Sequence, residues 1–150
     1  MELRPFRKVP ADDIMRMFSS QYRAGNHVPE ASQKLFDDGF PLRIVEHCNI
    51  DKSGTAELHL HEDDFWLCLY GEATFIVGGR LVNPRQYEKD RRTWLGDSIE
   101  DGEVVTLNAG DYFHVPAGQP HQPTTRGSAR LVIIKVQAKE GQIKLDYLPS

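Results

Sequence analysis

Hydrophobic positions change their spacing near residue 41. Upstream, Ile14, Met17, Phe18 and Tyr22 recur at three- and four-residue steps, the stripe that a short helix over residues 11–22 would bury. Asp12 and Asp13 stand at its start, where negative charge meets the positive end of the helix dipole. A second, weaker helical segment runs from Pro29 to Asp38 and stops at Gly39, which takes a left-handed cap at little cost. Beyond Pro41 the apolar runs shorten and Gly, Pro and Asn separate them: LRIVEHCNI, AELHLHEDD, FWLCLY, ATFIVGG, VVTLN, DYFHVP and ARLVIIKVQ. This pattern predicts an antiparallel β body.

Gly71-Glu72 and Ala109-Gly110, each flanked by β runs, have the spacing of hairpin turns. Strands this short and this many must manage their edges, so closure into a barrel or a double-sheet jelly roll is expected. Residues 79–102 are polar and too many for a tight turn, which predicts a long loop with some local structure. Lys89, Arg91 and Arg92 within it interleave with Glu88 and Asp90 and read as a solvated charged segment, with a grip on an anionic ligand or a lid as the alternatives.

Composition narrows the partners. A chain of 150 residues with 39% hydrophobic and 27% charged positions suits a single domain with a real core. We expect residues 1–40 to form a helical segment packed on a barrel of residues 41–150. The longest aliphatic run, Leu131 to Ile134, is too short to span a bilayer. A formal charge of −4 lacks the basic excess that phosphate backbones require, so neither membrane nor nucleic acid is an expected partner. Cys48 and Cys68 form no CxxC pair, and the segment MELRPFRKVPADD has no hydrophobic signal region; a cytoplasmic setting is expected.

Two segments carry chemistry. In GTAELHLHEDDFWLCLYGE, His59 and His61 are two apart, so on a strand their imidazoles share a face, about 6–7 Å apart. Glu62, Asp63 and Asp64 follow at once. An HxH pair arises by chance at roughly 0.2 per chain of this composition, so alone it says little. In GDYFHVPAGQPHQP, Gly110, Pro116, Gly118 and His121 stand in the spacing G-x5-P-x-G-x2-H. That coincidence is expected about 2 times per thousand chains. Pro116 and Gly118 bend the chain out of its strand, and His121 can re-enter facing inward to meet the HxH pair.

Together these segments resemble the paired motifs of the cupin superfamily, small β-barrels of the jelly-roll type. Gly54, His59 and His61 stand at the opening of the first motif and Gly71 at its close, while Gly110, Pro116, Gly118 and His121 match the second. Thr125 occupies a position where asparagine is frequent. The resemblance spans about residues 41–137 and implies a mainly β fold, a double-stranded β-helix or jelly-roll barrel, here preceded by short N-terminal helices.

It also implies a metal held by three histidines and a carboxylate: His59, His61 and His121 with Asp64. Asp64 stands where glutamate is usual, one residue closer to the histidine pair, so it would reach the metal through a strand bulge or a water, and Asp63 or Glu62 could substitute for it. Imidazoles with a carboxylate and open positions suit a divalent transition metal, Fe, Mn, Ni or Zn, and the sequence does not choose among them. Glu57, which shares the parity of His59 and His61, and Asp63 are candidate general bases. Trp66, Cys68 and, across the expected hairpin, Phe75 are candidates for a substrate-pocket wall, with core packing as the alternative. His114 reads as a hydrogen-bonded structural imidazole, His27 as a loop residue and His47 as structural.

The opposite face of that strand, Phe65, Leu67 and Leu69, is equally apolar and needs the N-terminal helix or a second subunit, as in a homodimer, to cover it. The expected function is that of a metal-dependent enzyme acting on a small molecule, of dioxygenase, isomerase or decarboxylase type. The alternative is a non-catalytic module that binds a sugar or carboxylic acid.

Overall fold

The computed structural model describes residues 8, 10–13, 25–27, 42–48, 55–125, 127–138 and 143–149. Residues 11–13 are helical, the Asp13 amide donating to the Pro10 carbonyl at 3.1 Å. The rest of the helix expected over 11–22, and the whole of the one expected over 29–38, lie outside the described residues. The strands in chain order are β1 (Gly25–His27), β2 (Leu42–Cys48), β3 (Ala56–His59), β4 (Glu62–Val77), β5 (Arg80–Val82), β6 (Arg85–Tyr87), β7 (Asp90–Gly96), β8 (Ser98–Glu100), β9 (Glu103–Asn108), β10 (Tyr112–Val115), β11 (His121–Thr124) and β12 (Ser128–Gln137). The body is therefore antiparallel and mainly β, as the alternation of short apolar runs predicts. His27 departs from its expected loop: it lies on β1, paired with Glu46.

The long strand β4 organises the rest. Its first half pairs with β12 and β10, and β12 in turn pairs with β2. Its second half pairs with β9 and β11, and β11 leads through β3 to β7 and β6. Two facing sheets result, joined through a single strand, which is the jelly-roll arrangement. Cys68, Ala73, Phe75, Leu107, Val115, Leu131 and Ile133 belong to one buried cluster between them. Trp66, from the first half of β4, meets Phe75, from the second, at a centroid distance of 5.2 Å.

Neither expected hairpin forms. At Gly71 the chain takes φ +75° and bends from one sheet into the other while pairing continues on both sides, Gly71 with Ala129 and Glu72 with Asn108. Ala109-Gly110 is the matching corner on the neighbouring segment, between β9 and β10. There the Gly110 amide donates to the Cys68 carbonyl at 2.8 Å and the Cys68 amide to the Asp111 carbonyl at 2.9 Å, so β9 and β10 run on in one direction along β4. A glycine with positive φ serves a corner as well as a turn, and spacing alone does not separate them. Phe75 consequently does not lie beside Cys68. The register sets Cys68 opposite Leu131, and Phe75 opposite Val105 and Pro123.

Residues 79–102 also depart from the expected loop. Most of them are strand: β7 extends the second sheet by pairing with β3, and β5 and β8 form a small ribbon. Their polar character reflects an exposed sheet margin. On the outer face of β3 and β7, Leu58 and Trp94 pack with Leu81, and C-terminal residues Leu145, Tyr147 and Leu148 cover them. Outside the first sheet, Phe65, Leu67 and Leu69 are half-buried, while Tyr112, Ile134 and Val136 are exposed. Among the described residues no helix is long and apolar enough to cross a membrane.

Gly71 cannot take a side chain without the backbone moving. A Cβ there would be driven into the Ser128 carbonyl oxygen, on a backbone that disfavours L side chains in any case. Replacing Gly71 with alanine is expected to lower the free energy of unfolding by about 2–4 kcal/mol. Gly127, with nothing near its missing Cβ, is the control: alanine there should change stability by no more than about 0.5 kcal/mol. Urea denaturation of both variants tests the corner.

Candidate metal centre

Strand register brings the chemistry together. In the second sheet His121 pairs with Glu57 and with Val77, and His59 pairs with Thr93, so these side chains share the inner face. In the first sheet Asp64 pairs with Lys135 and with Val115. Asp64, Trp66 and Cys68 are buried on alternate positions of β4, which places Asp64 inward with no bulge at its own position. The strand's register shift lies farther on, opposite Arg130 and Leu131.

The imidazoles of His59 and His121 lie 5.4 Å apart, centre to centre. Asp64 Oδ2 stands 3.5 Å from His59 Nε2 and 3.3 Å from His121 Nε2. Glu57 approaches the same two rings, Oε2 at 4.0 Å from His59 Nε2 and Oε1 at 3.6 Å from His121 Nε2. Ligand atoms of Glu57, His59 and His121 fall within 4.8 Å of one another, as do those of His59, Glu62 and Asp64. Asp64 and His121 are each only 1% exposed.

Hydrogen bonds outside the cluster aim these rings. His121 Nδ1 lies 3.2 Å from the Gln119 carbonyl, which only accepts, so Nδ1 carries a proton and Nε2 faces the carboxylates. The ammonium of Lys135 donates to His59 Nε2 at 3.2 Å, which makes Nε2 the acceptor and leaves His59 Nδ1–H to donate to Thr93 Oγ1 at 3.0 Å. Lys135 also donates to Glu62 Oε1 at 2.7 Å and to Asp64 Oδ1 at 2.8 Å. Asp64 Oδ2 and His121 Nε2 are buried and face each other without the alignment of a hydrogen bond. A buried carboxylate oxygen and a buried imidazole nitrogen left in this way fit a divalent cation between them.

Charge coupling is strong. Burial opposes ionisation of Glu57, but His121, His59 and Lys135 outweigh it and bring its pKa to about 2. For Asp64 burial is again outweighed, by His121, His59 and Lys135, and the carboxyl stays far below its usual range. Burial works against charge on His121, yet Asp64 and Glu57 raise its pKa to about 9. Lys135 is likewise raised despite burial, by Asp64 and Glu62.

The remaining expected site residues are placed as follows. His61 lies beyond the end of β3, in the two-residue turn to β4, and is buried. Its Nε2 points to Asp90 Oδ2 at 3.3 Å and Glu62 Oε2 at 3.4 Å, and its ring centre is 6.2 Å from that of His59. Asp63 has the opposite parity to Asp64: Oδ1 accepts the Ala117 amide at 2.8 Å, and Oδ2 lies 2.9 Å from His114 Nε2. Asp63 thereby fastens the Pro116–Gly118 turn, and His114, stacked on Phe65 at 4.3 Å, has the structural role expected of it. The Gly118 amide ties the same turn to the His59 carbonyl at 2.7 Å.

Trp66, Cys68 and Phe75 are at most 3% exposed and belong to the core cluster, where burial raises the Cys68 thiol pKa. A cleft of about 430 Å³ is lined by Val77, Val105, Phe113, His114 and Gln119 among others, and by none of Glu57, His59, Asp64 and His121. Sequence reasoning missed Lys135 and Thr93 as members of the centre. Lys135 alone carried a signal, a cation at the inward parity of Leu131 and Ile133.

Residues 96–136 match the Cupin domain family. No curated protein matches the chain. Among solved structures it is similar to ycfD of E. coli, with 21% identity over 67% of this chain and 26% of that one and a TM-score of 0.51. It is also similar to BH2720 of Bacillus halodurans, with 17% identity over 91% of this chain and 84% of that one and a TM-score of 0.50. A third similarity is to FeII HppE, at 19% identity over 63% of this chain and 42% of that one, with a TM-score of 0.43. At these identities the likeness concerns the fold, and the chain spans less than half the length of ycfD and HppE.

The pKa shifts give the metal-free protein a definite pH profile. His121, raised from 6.5 to about 9, contributes stability that is full below pH 6.5 and is lost as pH rises through about 9. Glu57, lowered from 4.5 to about 2, contributes above pH 4.5 and loses its contribution as pH falls through about 2. Chelator-treated protein should therefore have its highest urea midpoint between about pH 4.5 and 6.5 and a lower one at pH 9. His121→Gln should flatten the alkaline limb; an unchanged slope in that variant would contradict the coupling.

Proposed function

We propose that this chain, a cupin by fold and by the match of residues 96–136, binds a divalent transition metal between its two sheets and acts on a small molecule there. The observation that carries this reading is the buried Asp64 Oδ2 facing His121 Nε2, with His59 Nε2 and Glu57 converging on the same space. His59, His121, Asp64 and Glu57 would hold the ion, and Fe, Mn, Ni and Zn all suit such a donor set. Bound there, the ion would supply Lewis acidity toward a substrate oxygen and positions open to substrate or dioxygen.

The chain's own residues prepare that chemistry. Thr93 and the Gln119 carbonyl hold the two imidazoles in the tautomers that present Nε2. Glu57, with a pKa of about 2, is a weak proton acceptor and a suitable ligand. Asp63, occupied on both oxygens, holds the turn that delivers His121. Trp66, Cys68 and Phe75 keep water from the inner side of the centre by filling the core. A dioxygenase, isomerase or decarboxylase would each use such a centre, and the fold does not rank them.

The test begins with metal. Protein purified without a polyhistidine tag, stripped and dialysed against each of the four ions, should take up roughly one equivalent of at least one of them by elemental analysis. His59→Ala and His121→Ala should each fall below about a tenth of an equivalent, whereas His61→Ala should retain the metal. Undiminished uptake by the first two variants would overturn the centre. Turnover of a library of sugars and carboxylic acids by the loaded protein supports an enzyme; saturable binding without turnover supports a binding module.

A further inference from the structure

Lys135 reaches the centre from β12, opposite Asp64 in register. Its ammonium contacts His59 Nε2, Asp64 Oδ1 and Glu62 Oε1 at 3.2, 2.8 and 2.7 Å. The group His59, Glu62 and Asp64, which has the spacing of a cation site, is thus already spanned by a cation that the chain supplies itself. Asp64 divides its oxygens, giving Oδ1 to Lys135 and leaving Oδ2 toward His121. Glu62 is further placed by Gln137, whose Nε2 donates to Oε2 at 3.4 Å. His59 cannot divide: Nε2 has one lone pair, and it serves either Lys135 or an ion.

An ion entering among Glu57, His59, Asp64 Oδ2 and His121 therefore conflicts with Lys135 at a single atom. We propose that Lys135 is a tethered counter-cation that competes with the metal for His59 Nε2 and so sets the affinity of the centre. When an ion binds, Lys135 cedes His59 and keeps Asp64 and Glu62. In the metal-free protein it holds the donor atoms close together, offsetting the repulsion among Glu57, Glu62 and Asp64. In the loaded protein its positive charge lies one ligand away from the ion and opposes it. Even well screened, repulsion at such range is worth on the order of a tenfold change in affinity.

This inference rests on the metal-binding reading, and the experiment separates the two. Zn(II) affinity is measured by competition with a chromophoric chelator for the wild type, Lys135→Met, Lys135→Gln and Lys135→Arg, together with the urea midpoint of each protein without metal. The neutral variants should bind Zn(II) at least about tenfold more tightly, and their metal-free forms should unfold at lower urea. Lys135→Arg, which keeps the charge, should show no gain. Lys135→Gln retains donors for Asp64 and Glu62 and keeps the comparison available if Lys135→Met does not fold. Zn(II) binding by the wild type with unchanged or weaker binding in the folded neutral variants overturns the competition and leaves the centre standing. Absence of Zn(II) binding in the wild type and every variant overturns the competition, and the centre itself falls with it when Fe, Mn and Ni are not taken up either.

Discussion

The arrangement depends on β4 remaining one strand while it serves two sheets. A chain that turned back at Gly71 would lay the two halves of β4 side by side in one sheet, and Asp64 and the partner of His121 would not face each other from opposite sheets. Because Gly71 bends without ending the pairing, Asp64 near one end of β4 and Val77 at the other are held in a single register. Val77 pairs with His121, and β11 is thereby pinned to the same strand that carries Asp64. The carboxylate and imidazole thus approach to 3.3 Å from opposite sheets through backbone pairing, without relying on a mobile loop.

Bringing three carboxylates into a partly dry space is costly unless positive charge comes with them. Lys135 and the protonated His121 supply it when no metal is present, which is why Glu57 and Asp64 ionise more readily there despite burial. A metal held as proposed would take over the role of the His121 proton, since both would occupy Nε2. Metal uptake and proton release are then two descriptions of one exchange. Lys135 belongs to a different part of the balance, because Glu62 and Asp64 Oδ1 hold it from the side away from His121.

Much of this was legible in the sequence and some was not, for identifiable reasons. Period-two alternation gave the antiparallel β body, and the inward parity of Asp64, Trp66 and Cys68 follows from it directly. The corners at Gly71 and Gly110 were read as hairpins because a positive-φ glycine marks a change of direction without stating its angle. Residues 79–102 looked like a loop because an exposed sheet margin carries charge on its open face; β7 is exposed at Arg91 and Arg92 and buried at Thr93 and Trp94. Thr93 has no chemical signal of its own and becomes visible only once β3 is paired with β7.

The contrast between His59 and His61 shows the limit of reasoning from spacing. The His-x-His pattern places two imidazoles on one face only while both residues lie on a strand. Here β3 ends at His59, and the following two residues carry the chain across to β4. His59 keeps the orientation set by its pairing with Thr93, whereas His61 turns toward Asp90 and Glu62. Glu57 lies two residues back from His59 on β3, with the same parity and opposite His121, and adds a donor to that face. Glu57-x-His59 therefore carries the alternation along β3, and His61 is buried next to it just past the strand's end, its ring centre 6.2 Å from that of His59.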